Sequence, residues 1–238
     1  MTEEIVEFEL GDVDLLSGQT LKSAILVAKS WGQLSAARDN VIVLPTYYTG
    51  THDGYAPLVG PGNVFDTNDY FVISPNLFGN GLSTSPSNSV DLVSGPHFPT
   101  VGVYDNVLCQ HRLLTEKFGV TTIQLVAGWS MGAMQAFHWA VAFPDLVQRI
   151  LPWCGSARCS PHNRVFLAGV EAALTADPVY AEGYYDIPPE AGLKAFGRVY
   201  CGWAYSQAFF RKSLWRELGF ETIDALLSFW EADHLEWD

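Results

Sequence analysis

Positive charge is scarce in this sequence. Its 238 residues carry 13 Lys plus Arg against 26 Asp plus Glu, a formal net charge of −13. A field of that sign repels phosphate backbones and anionic lipid headgroups, so neither nucleic acid nor a membrane surface is expected as a partner. Charged residues of both signs are scarce at 16%, while hydrophobic residues reach 48% and aromatic ones 13%, which excludes a disordered chain. No apolar run approaches the roughly 18 residues that cross a bilayer. The start, Met1-Thr2-Glu3-Glu4, is acidic where a secretory leader is basic, and we read the protein as soluble and cytoplasmic. Cysteine is also sparse. Cys109, Cys154, Cys159 and Cys201 lack zinc-ligand spacing, so the expectation is free thiols, most of them buried, and no metal site.

What is present fits one large α/β domain or a core with a small cap. Strand-like runs fall at 5–10, 21–28, 41–45, 70–75, 121–127 and 149–153, and the later ones are almost wholly apolar. Continuous apolar strands separated by helical stretches are what a parallel sheet covered on both faces requires, which predicts a doubly wound, mostly parallel sheet. Residues 104–118 read as a helix ending at Gly119, with His111 as a packing residue on its apolar face. Residues 131–143 read as a buried helix stopped by Pro144. The stretch 76–99 is rich in Gly, Ser and Pro, and a loop of that length is more often functional than idle. After Trp153 only helical segments follow, dividing the chain into a core over 1–153 and a helical cap over 154–238. Near the end, Phe220, Ile223, Leu227 and Trp230 form an apolar stripe that needs a partner surface, and Glu231, Asp233, His234 and Glu236 read as a solvated helix end.

The chemistry is carried by Gly128-Trp129-Ser130-Met131-Gly132. A G-x-S-x-G string alone says little, but this one directly follows an apolar strand and opens a buried helix. That is the setting in which a nucleophilic serine sits on a tight elbow at the carboxyl edge of an α/β-hydrolase sheet. Gly128 and Gly132 stand where a Cβ would crowd the turn. The helix beginning at Met131 aims free N–H groups and its positive dipole end at the position of an oxyanion. A second donor is expected from the loop after the third strand, Pro45-Thr46-Tyr47-Tyr48-Thr49-Gly50, and the N–H of Tyr48 is the candidate.

The runs Leu58 to Gly62 and Asp66 to Asn76, with Gly128 to Gln135, His138-Trp139-Ala140 and Phe143-Pro144-Asp145, resemble the homoserine O-acetyltransferase family of the α/β-hydrolase superfamily. The resemblance runs from about residue 20 to the end of the chain. It implies ping-pong acyl transfer from a thioester such as acetyl-CoA, through acyl-Ser130, to a hydroxyl acceptor, with Tyr48 and Met131 giving the oxyanion N–H groups and no resident cofactor. It also implies dimers formed through the cap. Two departures stand out. Glu171 falls where the family's homoserine-using members place an Arg for the substrate carboxylate, so the expected acceptor is a hydroxyl compound other than homoserine. The fold's acid and base follow on later strands, yet beyond Ser130 the only histidines are His138, His162 and His234, none placed to serve the serine. The expectation is a chain shorter than the family at its C-terminal end, with a sheet lacking its last strands. Three readings stay open: the acyltransferase, an esterase or thioesterase with the same acyl-enzyme, and a non-catalytic binding module on the same fold.

Overall fold

The computed structural model describes residues 2–90 and 94–235. The chain divides into two compact units, the first ending at Ala157 and the second starting at Arg158. Each of the six expected strand runs is a strand. β1 (Glu3–Asp14) and β2 (Thr20–Trp31) form a long antiparallel hairpin, and both exceed the expected runs. The hairpin could be that long because β1 needs only one apolar face: Val6, Phe8 and Leu10 pack inward while Glu7 and Glu9 alternate outward. β3 (Val41–Val43) follows, then two short strands that the sequence did not announce, β4 (Val59–Gly60) and β5 (Phe65–Asp66), which pair with each other. β6 (Phe71–Pro75), β7 (Ile123–Trp129) and β8 (Ile150–Trp153) complete the main sheet in the order β1-β2-β6-β3-β7-β8. From β6 to β8 all neighbours are parallel, and β2 joins β6 antiparallel.

Alternation along the central strands feeds two separate apolar layers. Val41, Val43, Phe71, Ile73 and Val126 face a layer with Val107 and Leu114, Ala136 and Trp139, supplied by helices α1 (Val103–Arg112, running on into a π-helical turn Leu113–Lys117) and α2 (Met131–Ala142). Ile42, Leu44, Val72 and Ala127 face the other layer, which holds Trp31, Tyr55, Val59 and Phe65. The single helix expected over 104–118 is thus α-helical only to Arg112, and Gly119, at φ 61°, turns the chain out of it. His111 lies flat on Phe143, with ring centroids 3.9 Å apart, as a packing residue does. From β3 the chain moves to β6 on one side, then crosses to β7 on the other. The strand order therefore reverses between β3 and β7, and in such sheets the crevice at the carboxyl ends of those strands is where ligands bind.

The second unit is helical: α3 (Pro161–Thr175), α4 (Glu190–Ala204), α5 (Gln207–Arg211) and α6 (Ile223–Leu235). Ser160 caps α3 by accepting from the Asn163 N–H, with Pro161 just inside. Cys201, Phe209, Trp215 and Leu226 form its core. Of the expected terminal stripe, Phe220, Leu227 and Trp230 pack against that core, Ile223 is exposed, and Leu226 is the buried centre. Three of the four stripe residues are thus packed within their own unit. The helix end is not wholly solvated either. His234 is buried and holds the Trp230 carbonyl at 2.8 Å through Nδ1, Glu231 pairs with Arg198, and Glu236 lies outside the described residues. Two cysteines, Cys109 and Cys201, are buried and two, Cys154 and Cys159, exposed, rather than most being buried. Among the described residues no helix is long and apolar enough to cross a membrane.

Candidate active site

Ser130 connects β7 to α2 with φ 54° and ψ −116°, a conformation that costs an L-residue about 1–3 kcal/mol and persists only when its surroundings impose it. Those surroundings are unusually close. A Cβ on Gly128 would come within 2.2 Å of the Gly132 carbonyl group, and one on Gly132 within 2.5 Å of the Pro45 carbonyl oxygen. The two glycines therefore let helix, strand end and the loop after β3 meet at one point. The Ser130 N–H donates to the Trp153 carbonyl at 3.0 Å, tying the elbow to β8. Its carbonyl accepts from Ala133 and Met134, while its hydroxyl does not cap the helix. Met131 is the first residue of α2, where an N–H has no intrahelical acceptor.

The loop after β3 meets the elbow through its main chain. Tyr55 is 2% exposed. Its hydroxyl donates to the Pro45 carbonyl at 3.2 Å and accepts from the Trp129 N–H at 3.0 Å. Burial pushes this phenol well above its ordinary pKa, so it stays a donor across the working pH range. The Tyr47 ring leans edge-on against both Tyr55 and Trp129. Thr46 is buried, its N–H on the Pro75 carbonyl and its hydroxyl accepting from Leu77 N–H. Tyr48 follows, half-buried, in a turn closed by the Gly50 N–H on the Tyr47 carbonyl at 2.9 Å.

Behind the loop lies a buried polar chain. Gln135 Nε2 donates to the Thr46 carbonyl at 2.7 Å, Gln110 Nε2 donates to Gln135 Oε1 at 2.7 Å, and Trp139 Nε1 donates to Gln110 Oε1 at 3.1 Å. All three side chains are fully buried. A second polar cluster shapes the 76–90 stretch. Asn76 accepts from the His52 N–H, donates to the Val27 carbonyl, and places Nδ2 2.8 Å from His52 Nδ1. Because that amide nitrogen donates, Nδ1 is the unprotonated nitrogen and Nε2 carries the proton, 3.6 Å from Asp53. Burial holds the His52 imidazole below its ordinary pKa, partly opposed by Asp53. The Gly79-Asn80-Gly81 run is part of this loop, with Asn80 bonding Asn76.

The structure thus brings Gly128, Ser130, Met131 and Gly132 together with the loop bearing Tyr48. His138 lies on α2 against Tyr104, whereas His162 and His234 belong to the second unit, where they pack on Trp203 and on Trp230. Glu171 is exposed on α3. Tyr55, Gln110 and Gln135 were missed by the sequence reading. Gln135 did carry a signal, as an uncharged polar residue one turn inside a helix otherwise rich in Ala, Met and aromatics.

A family model described as alpha/beta hydrolase fold matches residues 39–186. The chain is 37% identical over 217 residues to an ethyl acetate hydrolase of Pseudomonas veronii, covering 90% of this chain and 62% of that protein. It therefore spans less than two thirds of that relative's length. It is 32% identical over 253 residues to a homoserine O-acetyltransferase of Geobacter sulfurreducens, covering 98% of this chain and 67% of the relative. The crystal structure of an acetylester hydrolase from Corynebacterium glutamicum superposes with a TM-score of 0.95 at 33% identity, over 99% of this chain and 69% of that one. With the strand–serine–helix geometry above, these matches establish that the chain belongs to the α/β-hydrolase fold family, among relatives that include esterases and homoserine O-acetyltransferases.

Proposed function

We propose that the protein is a serine ester hydrolase that cleaves a small acetyl-type ester through an acyl-Ser130 intermediate. Ser130 Oγ attacks the ester carbonyl carbon, the alkoxy oxygen leaves with a proton as the alcohol, and water then attacks the acyl-serine to release the carboxylic acid. The carbonyl oxygen, negative in both tetrahedral intermediates, would rest on the N–H groups of Met131 and Tyr48; one such donor is worth about 10²–10³ in rate. The observation that carries this reading is the left-handed Ser130 at the crevice between β3 and β7. The histidines that follow Ser130 pack on other rings, His138 on Tyr104, His162 on Trp203 and His234 on Trp230, so nucleophile and oxyanion donors are assigned and a general base is not. The net charge of −13 favours a small neutral substrate over a polyanion.

Hydrolysis is put first because the relatives named above at higher identity are ester hydrolases. Transfer of the acyl group from a thioester such as acetyl-CoA to a hydroxyl acceptor is the second reading, favoured by the homoserine O-acetyltransferase match. The test is pre-steady-state turnover of p-nitrophenyl acetate. A burst of nitrophenol with acetyl mapped to Ser130, abolished in Ser130→Ala, is expected. A burst that survives Ser130→Ala, or no labelling of Ser130 by a fluorophosphonate, sinks the proposal. Turnover that accelerates with added alcohols would move the reading from hydrolysis to transfer.

A further inference from the structure

The geometry points to Tyr55 and Gln135 as positioning residues for the oxyanion donors, holding them from opposite faces of the sheet. The inference rests on the acyl-Ser130 reading. An amide donor is aimed by its peptide plane, because N–H and the preceding carbonyl are coplanar and point opposite ways. The Tyr48 N–H shares a plane with the Tyr47 carbonyl, which the Gly50 N–H holds at 2.9 Å. One plane earlier, the Thr46 carbonyl is held by Gln135 Nε2 at 2.7 Å. One earlier again, the Pro45–Thr46 plane is held at both edges, by Tyr55 on the carbonyl at 3.2 Å and by the Pro75 carbonyl on the Thr46 N–H at 3.3 Å. Three successive planes leading to Tyr48 are thus each fixed.

The other arm is fixed in the same way. The Met131 N–H shares its plane with the Ser130 carbonyl, which accepts from Ala133 at 3.0 Å and Met134 at 3.2 Å. The preceding Trp129–Ser130 plane is held by the Trp153 carbonyl at 3.0 Å, and the Gly128–Trp129 plane by Tyr55 Oη at 3.0 Å. A single phenol hydroxyl is therefore bonded to both arms. Tyr55 lies in the apolar layer with Trp31 and Val59, and Gln135 on α2 with Gln110 and Trp139 behind it, so the loop is gripped from two sides. A buried Tyr or Gln serving stability alone could bond any main-chain group; these two bond the planes that lead to the donors. Neither reaches the reacting atoms.

The test compares Tyr55→Phe and Gln135→Met with the unaltered protein. Active sites are counted by fluorophosphonate titration, and the burst rate with p-nitrophenyl acetate is expressed per active site. The affinity of a trifluoromethyl ketone, which forms a tetrahedral oxyanion on the serine, is measured alongside KM. We expect each variant to lose about tenfold in per-site burst rate and a matching factor in ketone affinity, with KM within about twofold, less than the loss of a donor outright. A fall only in the titrated fraction, with per-site rate and ketone affinity unchanged in both variants, would reduce the two residues to structural ones. Should one variant fail to fold, the other carries the same readout from the opposite face. A burst in the unaltered protein beside unchanged variants overturns the positioning role alone, whereas no burst in the unaltered protein overturns the acyl-Ser130 reading beneath it.

Discussion

The elbow arm, residues 128–132, and the loop arm, residues 45–50, meet at the same crevice and are both hydrogen-bonded, but they differ in what sets their shape. The elbow is shaped by contact: Gly128 and Gly132 leave no room for a Cβ, and Ser130 is forced to φ 54°. The loop arm is shaped by hydrogen bonds arriving from Tyr55, Gln135 and the Pro75 carbonyl. Close repulsion rises steeply and forgives nothing, while a buried hydrogen bond nets only about 0.5–1.5 kcal/mol and becomes costly chiefly when one partner is stranded. The elbow is accordingly brittle, and the loop adjustable within limits.

Breaking the elbow should therefore have the largest effect. Gly128→Ala places a methyl 2.2 Å from the Gly132 carbonyl group, and about 3 kcal/mol of stability should be lost to overpacking. Urea unfolding reads the loss as a lowered midpoint, and Ser130 should no longer label; a wild-type midpoint would show that contact does not set this arm. The loop arm should respond more gently and cooperatively. Gln135→Leu strands the Thr46 carbonyl and Gln110, and Gln110→Leu strands Gln135 and Trp139, each costing about 1–3 kcal/mol. The double variant should cost about 1 kcal/mol less than the sum, since the bond between the two glutamines is lost only once. Strict additivity in thermal unfolding would mean that the glutamines act separately.

The smallest effect expected is a pH dependence. The folded His52 has its pKa depressed by burial, so between its folded value and its unfolded value near 6.5 the unfolded chain binds more protons. This contribution is fully present above about pH 6.5, falls as pH drops through that window, and levels off below the folded pKa. His111 is depressed by burial in the same direction. Melting temperatures from pH 8 to 5 should fall less steeply in His52→Gln than in the unaltered protein. An equal slope in the two would remove His52 from the account.

The elbow was legible for the same reason that it is brittle. Its determinants, an apolar run, Gly128, Ser130, Gly132 and a buried helix, are adjacent in sequence, and short-range sterics writes itself locally. The central strands were legible too, because Val41, Ile42 and Val43 serve two apolar layers and so leave a continuous apolar run. The grip on the loop was not legible. Tyr55 bonds residues 10 and 74 positions away, and Gln135 bonds one 89 away, and no periodicity encodes such distances. Likewise β4 and β5 escaped notice because two-residue strands lack an alternation to read. The spacing of Phe220, Ile223, Leu227 and Trp230 suggests one terminal stripe, but the helix starts only at Ile223, Phe220 precedes it, and the buried centre is Leu226.

The left-handed serine has a consequence for how this protein can change. Glycine at position 130 would relax the backbone at the loss of the serine CH2OH group, so backbone strain alone favours a fold without its reactive group. Laboratory selection for heat resistance alone would then drift toward an inert molecule, and only a simultaneous demand for turnover would keep the oxygen in place.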